Sequence, residues 1–138
     1  MNRPARERHA DGSPWEPRVG YVRAVRAGEC VYVSGTTAVD DAGEVVGEGN
    51  SYRQAQFALG KAVRALEALG GGPGDVVRTR WFVTQIDDWE KIGEAHREVF
   101  GPTPPASTMV GVPRLIDPRL LVEVELDAVL GADPAPNE

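Results

Sequence analysis

Residues 75–101 read DVVRTRWFVTQIDDWEKIGEAHREVFG. The first part, Val76–Thr84, is rich in Val, Thr, Trp and Phe and reads as a strand. A helix then opens at Asp87 or Asp88, with Glu90 completing a D-x-x-E capping box. Its apolar stripe is Trp89, Ile92, Ala95 or His96, and Val99 with Phe100. Gly101 and Pro102 stop it.

Working outward, a second helix precedes this unit. Ser51 and Gln54 form an S-x-x-Q box, and Ala55, Leu59, Ala62, Leu66 and Leu69 recur in steps of four and three, one buried stripe. Arg53, Gln56, Lys61, Arg64 and Glu67 fall largely off that stripe, toward water. Gly70, Gly71, Gly72 and Pro73 end the helix. Further upstream, Tyr21–Arg26 and Cys30–Gly35 flank the turn Ala27-Gly28-Glu29, the pattern of a hairpin. Downstream, Thr108–Val112 is a short strand. In Leu120–Val129, Val122, Val124, Leu126 and Ala128 face one way, and Glu123, Glu125 and Asp127 the other. The order ββαβαββ predicts an α+β fold, a mixed sheet with two helices on one face.

Two helices cover one face only, yet the predicted strands carry bulk on both. Val77, Thr79, Trp81 and Val83 oppose Val76 and Phe82, and Tyr32 opposes Val31 and Val33. An uncovered apolar face usually marks an interface, and a second copy of the chain is the economical cover. A homo-oligomer is expected.

Composition fits one soluble domain. The chain has 138 residues, 41% hydrophobic and 26% charged. Folding at this size hides about two thirds of the unfolded surface, enough for a core without disulfides or metals. No apolar run reaches the length of a membrane span. A net charge of −6 argues against nucleic acid as the main partner. The N-terminus lacks the apolar stretch of a secretory signal, so cytoplasm is the default compartment. Residues 1–18, with Pro4, Pro14 and Pro17, are expected to form a flexible arm, with Trp15 as the residue that would lay it on the surface; residues 19–130 the domain; and 131–138 a disordered tail.

Few residues invite chemistry. Cys30 sits in an apolar run and reads as a small buried hydrophobe. His9 and His96 are far apart, and with one Cys no metal pattern emerges. The glycines at 70–74 follow a helix rather than a strand and are a helix stop, not a phosphate loop. Ser34 and Gly35 end a strand, where a hydroxyl and an amide can face a ligand. Glu123 and Glu125 share one strand face, and like charges that close raise one another's pKa where water is scarce.

Four ordered blocks carry a resemblance: GYVRAVRAGECVYVSGTTA at 20–38, the stretch at 75–101, PASTMVGVPRL at 105–115 and VEVELDA at 122–128. Over residues 19–130 the chain resembles the RidA family, also called YjgF-type or endoribonuclease L-PSP. The resemblance implies a chorismate-mutase-like fold and a homotrimer, with sheets inside, helices outside and small-molecule clefts between subunits. It implies hydrolysis of enamines and imines, especially 2-imino acids, to a 2-oxo acid and ammonia without cofactor or metal. Carried over by position, Glu123 orients the attacking water, Tyr21 contributes an aromatic lid, and Ser34 and Gly35 contact the ligand.

One position departs from the family pattern. Where family deaminases read P-A-R-S/T, this chain reads Pro105-Ala106-Ser107-Thr108. Ser107 replaces the arginine that clamps the substrate carboxylate, and Met109 and Gly111 replace a Cys and a Glu. A charge-assisted bond of that kind contributes about 1.5–3 kcal/mol. The chain is therefore expected to act on, or bind, an enamine- or imine-type metabolite other than the standard 2-imino acid. The pocket would be more neutral, lined by Ser107, Met109 and either Trp81 or Phe82. Non-catalytic binding is the alternative. Standard deamination follows, with Arg23 or Arg114 supplying the missing charge, and ribonuclease action comes last.

Overall fold

The computed structural model describes residues 6–131. Its elements are β1 (Arg6–His9), α1 (Trp15–Val19), β2 (Ala24–Ala27), β3 (Cys30–Thr37), α2 (Ser51–Ala68), β4 (Val76–Val83), α3 (Trp89–Phe100), β5 (Ala106–Gly111) and β6 (Val122–Val129). The sheet order is β1-β2-β3-β6-β4-β5. Among the described strands, only β4 and β5 run parallel. Parallel neighbours cannot be joined by a tight turn, and α3 makes the crossover. The predicted ββαβαββ order is present, with strand β1 and the short helix α1 ahead of it.

That extra strand revises the reading of the N-terminus. The three prolines and many charges pointed to a loose arm. Instead, Arg6–His9 pair antiparallel with Ala24–Ala27. The buried Glu16 carboxylate accepts the backbone N–H groups of Asp11, Gly12 and Arg23, which ties the following segment to the sheet. Of the expected tail, all but Gly131 lies outside the described residues.

The core lies between one sheet face and two helices. Ala55, Ala58, Leu59, Ala62, Ala65 and Leu66 of α2, with Ile92, Ala95 and Phe100 of α3, meet Val31, Val33, Trp81, Val83, Val122, Val124 and Leu126. The small alanines let the helix axis approach the sheet closely. A bulge between Val76 and Arg78 shifts the register of β4 against β6. Val76 and Thr79 therefore both face the core, and Val77 is exposed, opposite to the strict alternation expected. Trp89 is also exposed rather than part of the α3 stripe.

Both predicted capping boxes are replaced. Asn50 caps α2, accepting from the Arg53 N–H at 3.0 Å. Ser51 donates instead to Asp88 at 2.7 Å, and Asp88 makes no cap bond to α3. Gln54 is fully buried. Its Oε1 accepts the Leu121 N–H at 2.7 Å, and its Nε2 donates to the Arg119 carbonyl at 2.9 Å. The glutamine read as a cap thus pins the loop entering β6.

Candidate functional site

The site is built around a bulge in the middle of β3. Between Val33↔Leu126 and Thr36↔Val124, β3 holds one residue more than β6. The surplus falls at Ser34-Gly35, so the strand expected to end there runs on to Thr37. Ser34 is held by two bonds: its Oγ donates to the Val22 carbonyl at 2.7 Å, and its N–H to the Arg23 carbonyl at 2.8 Å. Gly35 lies against Glu123. A Cβ at Gly35 would overlap the Glu123 carboxyl, whose Cδ would lie 2.9 Å away.

Glu123 projects from β6 on the face away from the helices, as its alternation requires, and is half-buried. No donor among the described residues meets its carboxylate. Burial pushes its pKa up, Glu125 adds to the rise, and Arg23 opposes it. Such a carboxyl can take or release a proton nearer neutrality than an exposed one.

A cavity of about 770 Å³ opens in front of it. Tyr21, Arg23, Ser34, Gly35 and Glu123 all line it, so these five sequence-derived candidates converge. The turn Asp11–Trp15 forms one wall and the loop around Asp40–Gly43 another. Trp15, expected on the surface of an arm, stands at this cavity, with Arg18 5.3 Å from its ring centre.

The cavity is charged. Arg23 is buried beneath Tyr21, its guanidinium 5.7 Å from the ring centre. It donates to the Gly35 carbonyl at 2.6 Å, to Thr36 Oγ1 at 3.3 Å and to Asp11 Oδ2 at 2.9 Å. Lys61, read from helix periodicity as facing water, also lines the cavity. Its Nζ donates to the Val39 carbonyl at 3.0 Å and lies 3.8 Å from Asp11 Oδ2. Burial pulls the Lys61 ammonium down, with Asp11 acting against it. Burial alone would raise Asp11, but Arg23, the Ser13 N–H and Lys61 outweigh it and hold the carboxyl below its ordinary value. Lys61 and Asp11 are lining residues that sequence reasoning missed, as are Asp40, Asp41 and Asp117.

The remaining candidates lie elsewhere. Ser107 and Met109 belong to β5, at the sheet edge, and pair with Thr79 and Trp81 of β4. Ser107 Oγ accepts from Thr79 Oγ1 at 2.8 Å, and the same Thr79 hydroxyl meets His96 Nε2 at 2.8 Å. Met109 packs on the core. Trp81 is buried within the core, its indole N–H unpartnered. Phe82, opposite Glu123 in register, shares the open face but does not line the cavity. Arg114 is exposed and also outside the cavity lining. Within one chain, Ser107, Met109, Trp81 and Phe82 therefore do not line the cavity of Glu123. Alternate β4 residues face opposite sides, and β5 is two strands away from β6.

No helix among the described residues is long and apolar enough to cross a membrane.

Comparison with known proteins gives concordant matches. The sequence model of the family described as Endoribonuclease L-PSP matches residues 13–130. An uncharacterised protein of Streptomyces coelicolor is 42% identical over 133 residues, 96% of this chain and 98% of that one. The 3-aminoacrylate deaminase RutC of Acinetobacter baylyi is 32% identical over 114 residues, 83% of this chain and 89% of the enzyme. A crystal structure of a Mycobacterium tuberculosis member of the YjgF/YER057c/UK114 family superposes with a TM-score of 0.83 at 42% identity, covering 91% of this chain and 100% of that one.

Proposed function

Since the chain belongs to the Endoribonuclease L-PSP family, that of YjgF, RutC and UK114, we propose that it hydrolyses a reactive enamine- or imine-type metabolite in the cavity of Glu123. The observation that carries this is the half-buried Glu123 carboxyl, which meets no donor among the described residues, against the Ser34–Gly35 bulge, with its pKa pushed up by burial. An iminium carbon is already electrophilic. Water attacks it as Glu123 takes a proton, and the resulting amino alcohol collapses to a carbonyl and ammonia. An enamine enters one step earlier: protonated Glu123 delivers a proton to the enamine carbon and gives the iminium. A carboxyl tuned toward neutrality suits both directions of transfer. No step calls for a cofactor or metal, and we place the protein in the cytoplasm.

Ser107 separates this protein from the standard 2-imino acid deaminases that its sequence resembles, because a neutral hydroxyl cannot replace an arginine clamp. The same substitution favours a second reading, a small-molecule binder without turnover. Three copies, meeting through the open sheet face, would complete clefts between subunits, and a neighbour's β5 could bring its Ser107 and Met109 to the cleft.

The test uses an amino-acid oxidase and an eliminating enzyme to release imines and enamines, with semicarbazide trapping what survives. The protein should speed their loss, and Glu123→Gln should lower that rate by about 100-fold or more. Equal acceleration by wild type and variant would take Glu123 out of the chemistry, and no acceleration of any imine or enamine would leave binding without turnover.

A further inference from the structure

The chain carries fifteen lysines and arginines, and only two of them are lysines, Lys61 and Lys91. A guanidinium holds its charge at physiological pH and is no nucleophile, whereas an amine that sheds its proton is one. Arginines do the close charge pairing: Arg23 with Asp11, Arg80 with Asp127 and Arg119 with Asp117. The two amines sit differently. Lys91, on α3, has its side chain 69% exposed and lies 3.9 Å from Asp88 Oδ1. Lys61, in the middle of α2, lines the cavity with its side chain only 17% exposed.

The setting of Lys61 suits an amine as well as an ammonium. Its Nζ donates one hydrogen bond, to the Val39 carbonyl at 3.0 Å, and Asp11 Oδ2 at 3.8 Å is beyond bonding distance. A neutral amine keeps that bond and frees a lone pair, while an ammonium has two further donors with no acceptor among the described residues. Burial favours the neutral form, Asp11 and Asp41 oppose it, Arg23 adds to it, and the balance is downward. The other acids of the lining are engaged or can serve. Asp117 is taken by Arg119 at 2.9 Å, and Asp40 Oδ1 by the Ala42 and Glu44 N–H groups. Glu123, which burial makes hold its proton more tightly, is an acid in the same cavity.

From this we infer that Lys61 is a Schiff-base-forming amine, which takes a small aldehyde or ketone covalently in the cavity. The inference rests on the reading that this cavity is the ligand site, and it adds a covalent step and a carbonyl ligand to it. Neutral Lys61 Nζ attacks the carbonyl carbon, and the C–N bond forms as the C=O π pair moves to oxygen. An N–H proton shifts to that oxygen and gives a carbinolamine. A proton from the Glu123 carboxyl, direct or through water, reaches the hydroxyl. The C–O bond breaks, water leaves, and the nitrogen lone pair closes the C=N bond. The products are a protonated Schiff base, water and the Glu123 carboxylate. Burial would raise Asp11, but Arg23 and the Ser13 N–H outweigh it, so an ionised carboxylate lies beside the positive nitrogen before and after the step. Water entering by the reverse route frees the carbonyl compound.

The probe is butanal with cyanoborohydride, which reduces an iminium to a stable secondary amine, added to the full-length protein at neutral pH. Peptide mass mapping reads the butyl group at each amine. Lys61 should be alkylated about tenfold faster than Lys91, although it is the more buried of the two. Its rate should level off as butanal fills the cavity, while that of Lys91 stays proportional to concentration. Lys61→Arg, which keeps the charge, should confine the label to Lys91 and the N-terminal amine. Both wild-type readouts stand if that variant misfolds. Equal rates at the two lysines, a faster Lys91, or a Lys61 rate that never levels off would overturn the inference. Turnover of imines with no trapping at Lys61 would sink this inference alone. Trapping at Lys61 as expected, with no turnover of any imine or enamine, would sink the hydrolase reading alone.

Discussion

A methyl group added at Gly35 has nowhere to go, because the space it would take is held by the Glu123 carboxyl. Gly35→Ala should drive Glu123 from its position and strain the bulge, at a cost of about 1–3 kcal/mol in urea denaturation, with turnover falling alongside. A variant as stable and active as wild type would show that the two groups do not touch. Glu123 itself makes a pH prediction. Its folded pKa lies above its ordinary value of 4.5, so the folded form holds the proton more tightly than the unfolded one. The stability it contributes is complete below pH 4.5 and is lost as pH rises through the shifted value. Glu123→Gln should flatten that part of the stability profile, measured as urea midpoints across pH. Hydrolysis that uses the carboxylate as base should rise over the same interval. Glu123 was readable in the sequence because alternation along β6 settles which way it faces. Lys61 was not: the 3.6-residue period marks it as polar-side, and only the return of the loop near Val39 makes that side a cavity wall.

At the scale of elements, Gln54 joins the start of α2 to the entry of β6, residues far apart in the chain. Gln54→Leu would leave the Leu121 N–H and the Arg119 carbonyl without their partner and should cost about 2–4 kcal/mol in chemical denaturation. A loss under about 0.5 kcal/mol would mean that the loop finds other partners. The S-x-x-Q pattern located the helix start within a residue but misassigned the glutamine's work, because a capping box and a buried amide have the same sequence signature. The helices and the central strands were legible from their apolar periods. Strand β1 was not, since a short edge strand with exposed side chains leaves no hydrophobic pattern. Its pairing is written in backbone bonds to β2.

For the whole molecule, the open sheet face is the decisive surface. Tyr32, Val110 and Val129 are each about 40–50% exposed, and Phe82 lies among them. An apolar patch mixed with Glu125 and Asp127 is poorly suited to water but well suited to another copy. Sedimentation at micromolar concentration should find three copies together. Tyr32→Asp combined with Val110→Asp should release single chains of 14.8 kDa. Wild type sedimenting at that single-chain mass would remove the inter-subunit cleft from the proposal. The apolar bulk on both sheet faces was legible in the strands, even though the bulge in β4 changed which valines lie outside.

The last strand among the described residues, β6, lies at the centre of the sheet, with β3 on one side and β4 on the other. A ribosome therefore releases both of its neighbours before the piece that joins them. Until it arrives, two half-sheets wait with unmatched backbone edges, and closure must bring together segments separated by most of the polypeptide. Such long-range closure sets a pace of milliseconds to seconds rather than microseconds. It also makes the waiting intermediate, more than the finished fold, the species most in need of chaperone protection.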